Sequence, residues 1–283
     1  MCGIVGFKSE KYFPRLRALL PDACSSMSHR GPDDSGLFLD EPSGVGLGHR
    51  RLAVLDLSKA GQQPMGTEDG SVQIVYNGEV YNYREIRRTL EEYGHRFRSD
   101  TDSEVVLYAY LQWGADSLRN FVGMFSFAVW DGRKKWLFLA RDRLGIKPLY
   151  YSIRGEVFLF ASELKALMAF DVYERTVDPE AIPLFLHYQY VPGPKTIFEH
   201  TFKLLPGHYL IYDGRTVRTR AYWKHPSLGG DSDQKTVLGE QQALEDLDHL
   251  LTQAVSDRLI SDVPLGALLS GGIDSSLVVA LMQ

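Results

Sequence analysis

The spacing of hairpin signals constrains this chain more than any other feature. Short apolar or alternating runs recur at 3–7, 36–40, 45–50, 72–76, 121–130, 136–141, 149–153 and 157–161. Asp131-Gly132 and Arg154-Gly155 fall between pairs of them, where a tight reversal needs residues tolerant of unusual backbone angles. Helical spacing occurs only in separated blocks. One is 13–27, and one is 81–93, with Tyr83, Ile86, Leu90 and Tyr93 on a stripe. A third follows the capping run Ser99-Asp100-Thr101-Asp102-Ser103-Glu104. Strands joined to their sequence neighbours by hairpins make antiparallel sheets, whereas each parallel pair needs a crossover, usually a helix. The pattern therefore predicts an antiparallel α+β fold for the first 160 residues and excludes a doubly wound sheet there.

Further along, a helix is predicted at 178–187 and a loop-rich stretch at 190–210. A last strand pair fits 208–212 and 216–222, around Asp213-Gly214. The first domain is placed at 1–225. The polar, Gly-containing stretch 226–236 reads as a linker. After it the pattern changes, so 237–283 is read as the beginning of a second domain. It opens with an amphipathic helix at 237–260, carrying Leu244, Leu247, Leu251 and Val255 on one face. A buried strand is expected at 263–269, then a Gly-rich turn and another helix. With 283 residues, 44% of them hydrophobic and 24% charged, one large domain or two are expected. The net charge of −5 and the lack of a basic cluster argue against a nucleic-acid surface. No 18-residue apolar run or secretory leader pattern is present, so no membrane partner is expected. Two cysteines make no disulfide framework, and a free-thiol cytoplasmic protein is the simplest reading. Cys24 is read as core within the first helix.

Cys2 is the chemical outlier. Removal of Met1 would leave a thiol and a free α-amine in one residue, a nucleophile with its own base. Taken alone, Cys2 is equally a small buried residue on an N-terminal strand. Asn77-Gly78-Glu79 follows the strand 72–76 as a tight-turn signal before a helix. Such a junction presents a side-chain amide beside a backbone N–H, the parts of an oxyanion hole, although Asn-Gly alone is usually only a turn. Arg51 opens the run Leu52-Ala53-Val54-Leu55, where on a strand it would face a cleft while Leu52 and Val54 face the core. The plain reading of the run 99–104 is capping, and one of Asp100 and Asp102 could serve as a capping acid only. Ser270-Gly271-Gly272-Ile273-Asp274-Ser275-Ser276 lies between the expected strand and helix, a ready anion cradle, without the Lys of a Walker loop.

Taken together, Cys2-Gly3-Ile4, His29-Arg30-Gly31-Pro32-Asp33, His49-Arg50-Arg51-Leu52, Tyr76-Asn77-Gly78-Glu79-Val80-Tyr81-Asn82 and Ser270-Gly271-Gly272-Ile273-Asp274-Ser275 resemble the glutamine-hydrolysing asparagine synthetases. The resemblance runs over essentially the whole chain. It implies an N-terminal-nucleophile glutamine amidotransferase domain, a four-layer αββα sandwich of two antiparallel sheets. This would be followed by the start of an α/β ATP-pyrophosphatase domain, too short at Gln283 to make asparagine by itself. It also implies roles. Cys2 would attack the glutamine side-chain amide, and Asn77 and Gly78 would hold the oxyanion. Arg51 would take the α-carboxylate, in preference to Arg50, and Asp102 the α-ammonium. Leu52, Ala53, Val54, Leu55 and Glu79 would complete the glutamine pocket, and Arg30 would order it. Leu268, Ser270, Gly271, Gly272, Asp274, Ser275 and Ser276 would bind ATP with Mg2+, no metal being needed for the glutaminase step. Aspartate would be the acceptor, and the chain could form a homodimer. Other carboxylate acceptors stay open at this level. A glutaminase domain of another pathway is disfavoured by the 270–276 loop, and a non-enzymatic relative by the intact Cys2, Arg51, Asn77 and Asp102.

Overall fold

A computed structural model of the chain describes residues 1–226 and 239–283. The linker expected at 226–236 lies almost wholly outside the described residues. The described chain divides into two compact units, Met1–Trp223 and Lys224–Gln283.

The first unit carries twelve strands. They are β1 (Gly3–Lys8), β2 (Asp34–Asp40), β3 (Val45–Arg51), β4 (Met65–Gly66), β5 (Val72–Val80) and β6 (Gly123–Asp131), then β7 (Trp136–Arg141), β8 (Tyr150–Arg154), β9 (Val157–Ala161), β10 (Thr201–Lys203), β11 (His208–Tyr212) and β12 (Val217–Ala221). Its helices are α1 (Phe13–Ser25), α2 (Tyr83–Glu92), α3 (Asp102–Trp113), α4 (Ser117–Asn120), α5 (Leu164–Leu167) and α6 (Ala181–Tyr188). One six-stranded sheet runs β10-β8-β9-β1-β3-β2 and the other β12-β11-β7-β6-β5-β4. Every pairing is antiparallel.

The alternation of side chains along β1 shows the layering. Ile4 joins Val45, Leu47, Val75, Ala128, Trp130 and Leu139 in the core between the two sheets. Val5 and Phe7 point the other way, into a second core with Phe13, Leu16, Leu20 and Cys24 of α1. All six β1 residues are buried, as a strand covered on both faces must be. On the far face of the second sheet, α2 buries Tyr83, Ile86 and Leu90, and α3 buries Val105, Val106, Ala109 and Tyr110. The order helix, sheet, sheet, helix is the expected α+β sandwich.

Three local expectations need correction. The strand at 72–76 continues through Asn77 and Gly78 to Val80, so this pair is not a turn; β6 supplies a partner for all nine residues of β5. Leu52-Ala53-Val54-Leu55 is not a strand, because β3 ends at Arg51 and no strand pairs beyond it. Within 190–210, residues Thr201–Lys203 pair with β8.

The second unit holds α7 (Glu240–Asp257) and α8 (Ile273–Met282). Neither helix has a buried residue. The strand expected at 263–269 is irregular instead, with Leu268 98% exposed. A parallel strand exists only with hydrogen-bonding neighbours, and no strand is found among the described residues of this unit.

Candidate active site

Strand β1 starts at Gly3, so Cys2 stands at the open end of a rigid, fully buried strand. Its thiol is fixed by the chain leaving β3. The Leu52 N–H donates to Sγ at 3.4 Å, and the Sγ–H points to the Leu52 carbonyl at 3.7 Å. Arg30 Nε donates to the Cys2 carbonyl at 2.8 Å, and Nη1 to Glu163 Oε1 at 3.0 Å. Glu163 also takes His29 and Lys165. Arg30 thus holds the backbone of Cys2 and does not itself line the cleft.

Cys2 opens onto a cleft of about 280 Å³. Its walls bring together Arg51, Leu52, Val54, Leu55, Asn77, Gly78, Glu79 and Asp102, all of them residues picked out by sequence. Ala53 is the exception: its N–H donates to Asp33 Oδ2 at 2.8 Å, and it does not line the cleft. Two larger grooves, of about 550 and 730 Å³, contain neither a cysteine nor a side-chain amide.

Asn77 is fully buried, and neither its Nδ2 nor its Oδ1 has a hydrogen-bond partner. Buried polar atoms are nearly always partnered, so an orphaned amide in a cleft wall is free to take a ligand atom. Gly78 follows it. The Tyr76 N–H donates to Gln63 Oε1 at 2.6 Å and the Val80 N–H to Asp102 Oδ2 at 2.9 Å, both away from β6. By strand alternation the Gly78 N–H between them turns the same way, to the cleft side. A Cβ at Gly78 would meet the Met124 carbonyl oxygen at 2.4 Å, so only glycine permits this approach of β6.

Arg51 is buried and already engaged. Nη1 donates to the Ser58 carbonyl at 2.9 Å, and Nη2 to the Leu55 carbonyl at 3.2 Å and the Asp56 carbonyl. Of five N–H groups, two are left outside these three bonds. The guanidinium is therefore also the anchor of the loop that walls the cleft. Arg50 instead donates to the Gly31 carbonyl, off the cleft. Asp102, in the first turn of α3, accepts from the Tyr76 hydroxyl at 2.6 Å.

Burial in the cleft wall moves proton affinities. Burial pushes the Cys2 thiol up, opposed by the Leu52 N–H. Burial lowers the Met1 amine. Burial also raises Asp102 to about 6, against the pull of the Tyr76 hydroxyl and the Val80 N–H. Glu79 is raised by burial and held back by Lys147, whose own affinity burial lowers and Glu79 restores.

Lys147, Gln63, Tyr76 and Met124 also line the cleft and were not foreseen as site residues. Lys147 arrives from a loop whose turn is organised by Asp142, which accepts the N–H groups of Leu144, Ile146 and Lys147. The one available signal was the charge density of Arg141-Asp142-Arg143 and Lys147 between two strands.

Residues 1–223 match the glutamine amidotransferase domain family. The chain belongs to that family. Residues 246–283 match the asparagine synthase family. The chain is 40% identical to the putative asparagine synthetase [glutamine-hydrolyzing] 2 of Methanocaldococcus jannaschii, covering 100% of this chain and 57% of that protein. It is 36% identical to asparagine synthetase [glutamine-hydrolyzing] 1 of Bacillus subtilis, over 100% and 44%, and 35% identical to amidase chry2 of Gibberella zeae, over 100% and 43%. The chain spans about half the length of these relatives. Among solved structures, the glutamine phosphoribosylpyrophosphate amidotransferase of B. subtilis superposes with a TM-score of 0.55 at 18% identity, covering 79% of this chain and 50% of that one. That likeness supports the sandwich fold.

In the second unit, Gly271 has φ +81°, and the cap residue Gly272 leads directly into the ten-residue α8. Ser270 Oγ and Ser275 Oγ are 2.9 Å apart across the turn. A Cβ at Gly271 would meet nothing within 4 Å, which leaves open space over the turn. Backbone N–H groups at a helix start with hydroxyls beside them suit phosphate oxygens. Leu268 stands upstream and exposed. Among the described residues no helix is long and apolar enough to cross a membrane, and no cluster of His, Cys, Asp or Glu is placed to hold a metal.

Proposed function

We propose that Cys2 hydrolyses the side-chain amide of glutamine. The observation that carries this is the orphaned, buried Asn77 amide in the same cleft as the Cys2 thiol. With Met1 present, the Cys2 nitrogen is an amide and has no basicity, so activity needs Met1 removed. The freed α-amine then takes the thiol proton as sulfur bonds to the amide carbon. Burial favours the protonated thiol, so the nearby base is needed rather than incidental. The carbonyl oxygen becomes an oxyanion, held by Asn77 Nδ2 and the Gly78 N–H. The amine returns its proton to the departing nitrogen, which leaves as ammonia. Water then cleaves the γ-glutamyl thioester to glutamate and restores the thiol. Arg51 would pair with the α-carboxylate and Asp102 with the α-ammonium, while Glu79 and Leu52 to Leu55 shape the walls.

For the ammonia, the asparagine synthase match points to an ATP-activated carboxylate, with aspartate as the acceptor. Ser270, Gly271, Gly272, Asp274, Ser275 and Ser276, with Leu268 at their flank, would receive the phosphates of ATP with Mg2+. A second reading changes only the acceptor and is favoured by relatives of equal coverage named amidases.

The test is intact mass after treatment with an electrophilic glutamine analogue. One adduct on Cys2, with Met1 absent, is expected, and Cys2→Ala should take up none. Unlabelled protein that retains Met1 and releases no ammonia would overturn the reading.

A further inference from the structure

Tyr76 is held on three sides. Its N–H donates to Gln63 Oε1, its carbonyl accepts from His49 Nε2 at 3.0 Å, and its ring packs near Phe127. It is 2% exposed, yet it reaches the cleft wall. The hydroxyl therefore has one fixed position, 2.6 Å from Asp102 Oδ2. That oxygen also takes the Val80 N–H, and the Ser103 N–H favours the ionised carboxylate as well; an incoming ammonium would meet Oδ1.

From this geometry we infer that Tyr76 is a positioning residue for substrate selection: its hydroxyl orients the Asp102 carboxylate and keeps it ionised, so that the cleft selects amides bearing an α-ammonium. The inference rests on the glutaminase reading above. Without the hydroxyl, a buried carboxylate loses its shortest donor and holds its proton to higher pH. The titratable groups facing Asp102 in the cleft are Glu79 from β5, Arg51 from β3, Lys147 from the Asp142 loop, the Cys2 thiol and the chain-terminal amine, which in the processed chain is that of Cys2. Glu79 opposes ionisation of Asp102. On the helix of Asp102 itself, Glu104 is occupied by the N–H groups of Arg98 and Ser99 and the Ser99 hydroxyl. Of the groups donating to Asp102, the Tyr76 hydroxyl is the one that a conservative substitution removes without altering the backbone.

The experiment measures glutaminase kcat and KM from pH 5 to 9 on processed full chain, with two substrates. One is glutamine, and the other is glutaramate, the same amide lacking the α-amine. For Tyr76→Phe, the acid limb of kcat/KM on glutamine should move up by about one pH unit. On the acid side, discrimination between glutamine and glutaramate should narrow by about tenfold. The change should lie in KM, not kcat. Tyr110→Phe is the matched control: its buried hydroxyl lies 3.1 Å from Asp131, outside the cleft, and it should move neither quantity. A Tyr76→Phe limb that stays in place, or equal losses on both substrates, would overturn the inference. Asp102→Asn separates the two levels. If it also leaves discrimination intact, the assignment of the ammonium to Asp102 is wrong; if it abolishes discrimination while Tyr76→Phe does not, only the role of Tyr76 falls.

Discussion

At Asn77 stability and function pull apart. An amide buried with both ends unpartnered is destabilising by about 1–3 kcal/mol. Replacing it with an apolar side chain of similar volume removes that penalty. Asn77→Leu should therefore lower glutaminase kcat by about 10²–10³-fold, the usual loss for one oxyanion donor, while the melting temperature holds or rises. Parallel kinetics and calorimetry check this; a variant that loses activity only because it unfolds contradicts the role. His49 works in the opposite sense. Its Nε2–H donates to the Tyr76 carbonyl across the two sheets, so Nδ1 is bare, and it is buried without a partner. Burial lowers its proton affinity to about 4, with Arg51 and Arg50 adding to the effect. A folded value below the ordinary 6.5 means full stability above pH 6.5, lost as pH falls towards 4. At pH 5 the loss from His49 is about 2 kcal/mol. Asp102 shifts the other way and partly offsets it, but that offset is common to a His49→Gln variant. Urea midpoints at pH 7.5 and 5 should fall further for the native chain than for His49→Gln. All five of Cys2, Arg51, Asn77, Glu79 and Asp102 line one cleft, but only Cys2 and the Asn77-Gly78 pair suggested their chemistry from a short run of sequence; Arg51, Glu79 and Asp102 were assigned by the family resemblance. Tyr76, Gln63 and Lys147 were not legible, because only tertiary packing turns them into the cleft.

The loop leaving β3 is the element on which the cleft depends. Arg51 grips the carbonyls of Leu55, Asp56 and Ser58, and Leu52 grips the thiol, so the Cys2 thiol and the loop are positioned together. Sequence suggested a strand here from the apolar run 52–55. No strand lies alongside to pair with it; the guanidinium takes the Leu55 carbonyl and those of Asp56 and Ser58 just beyond the run. Gly61 closes the loop against Arg51. A Cβ there would lie 2.1 Å from Arg51 Nη2 and 2.9 Å from Thr101 Cγ2. Gly61→Ala should displace the guanidinium and raise KM for glutamine by at least about tenfold, the order expected when one charge-assisted contact is lost. Steady-state kinetics decide it, and an unchanged KM would remove Arg51 from the carboxylate role. The error over Asn77-Gly78 has a related cause. Local turn preference is real, but nine residues of pairing with β6 outweigh it.

At the scale of the whole molecule, the hairpin pattern disclosed the antiparallel α+β class because antiparallel topology is a local property of neighbouring strands, whereas the layering into a sandwich was implied only by the family resemblance. The second unit was harder to read, since a parallel strand is defined by partners distant in sequence. Its described helices bury no side chain, whereas the first unit closes two cores around β1. Local opening free energy follows buried apolar contact, so the two units should differ sharply in amide exchange. Peptides from β1, β5 and β6 should exchange last and together, at the rate of global unfolding. Peptides from α7 and α8 should exchange many orders faster, close to the rate of an isolated helix. Hydrogen-exchange mass spectrometry on the whole chain makes the comparison directly. Equal protection across both units would mean that Leu244, Leu247 and the α8 face are covered in solution. Fast exchange confined to the second unit, with glutaminase activity intact, would mean that the amidotransferase fold owes its stability to residues 1–223 alone.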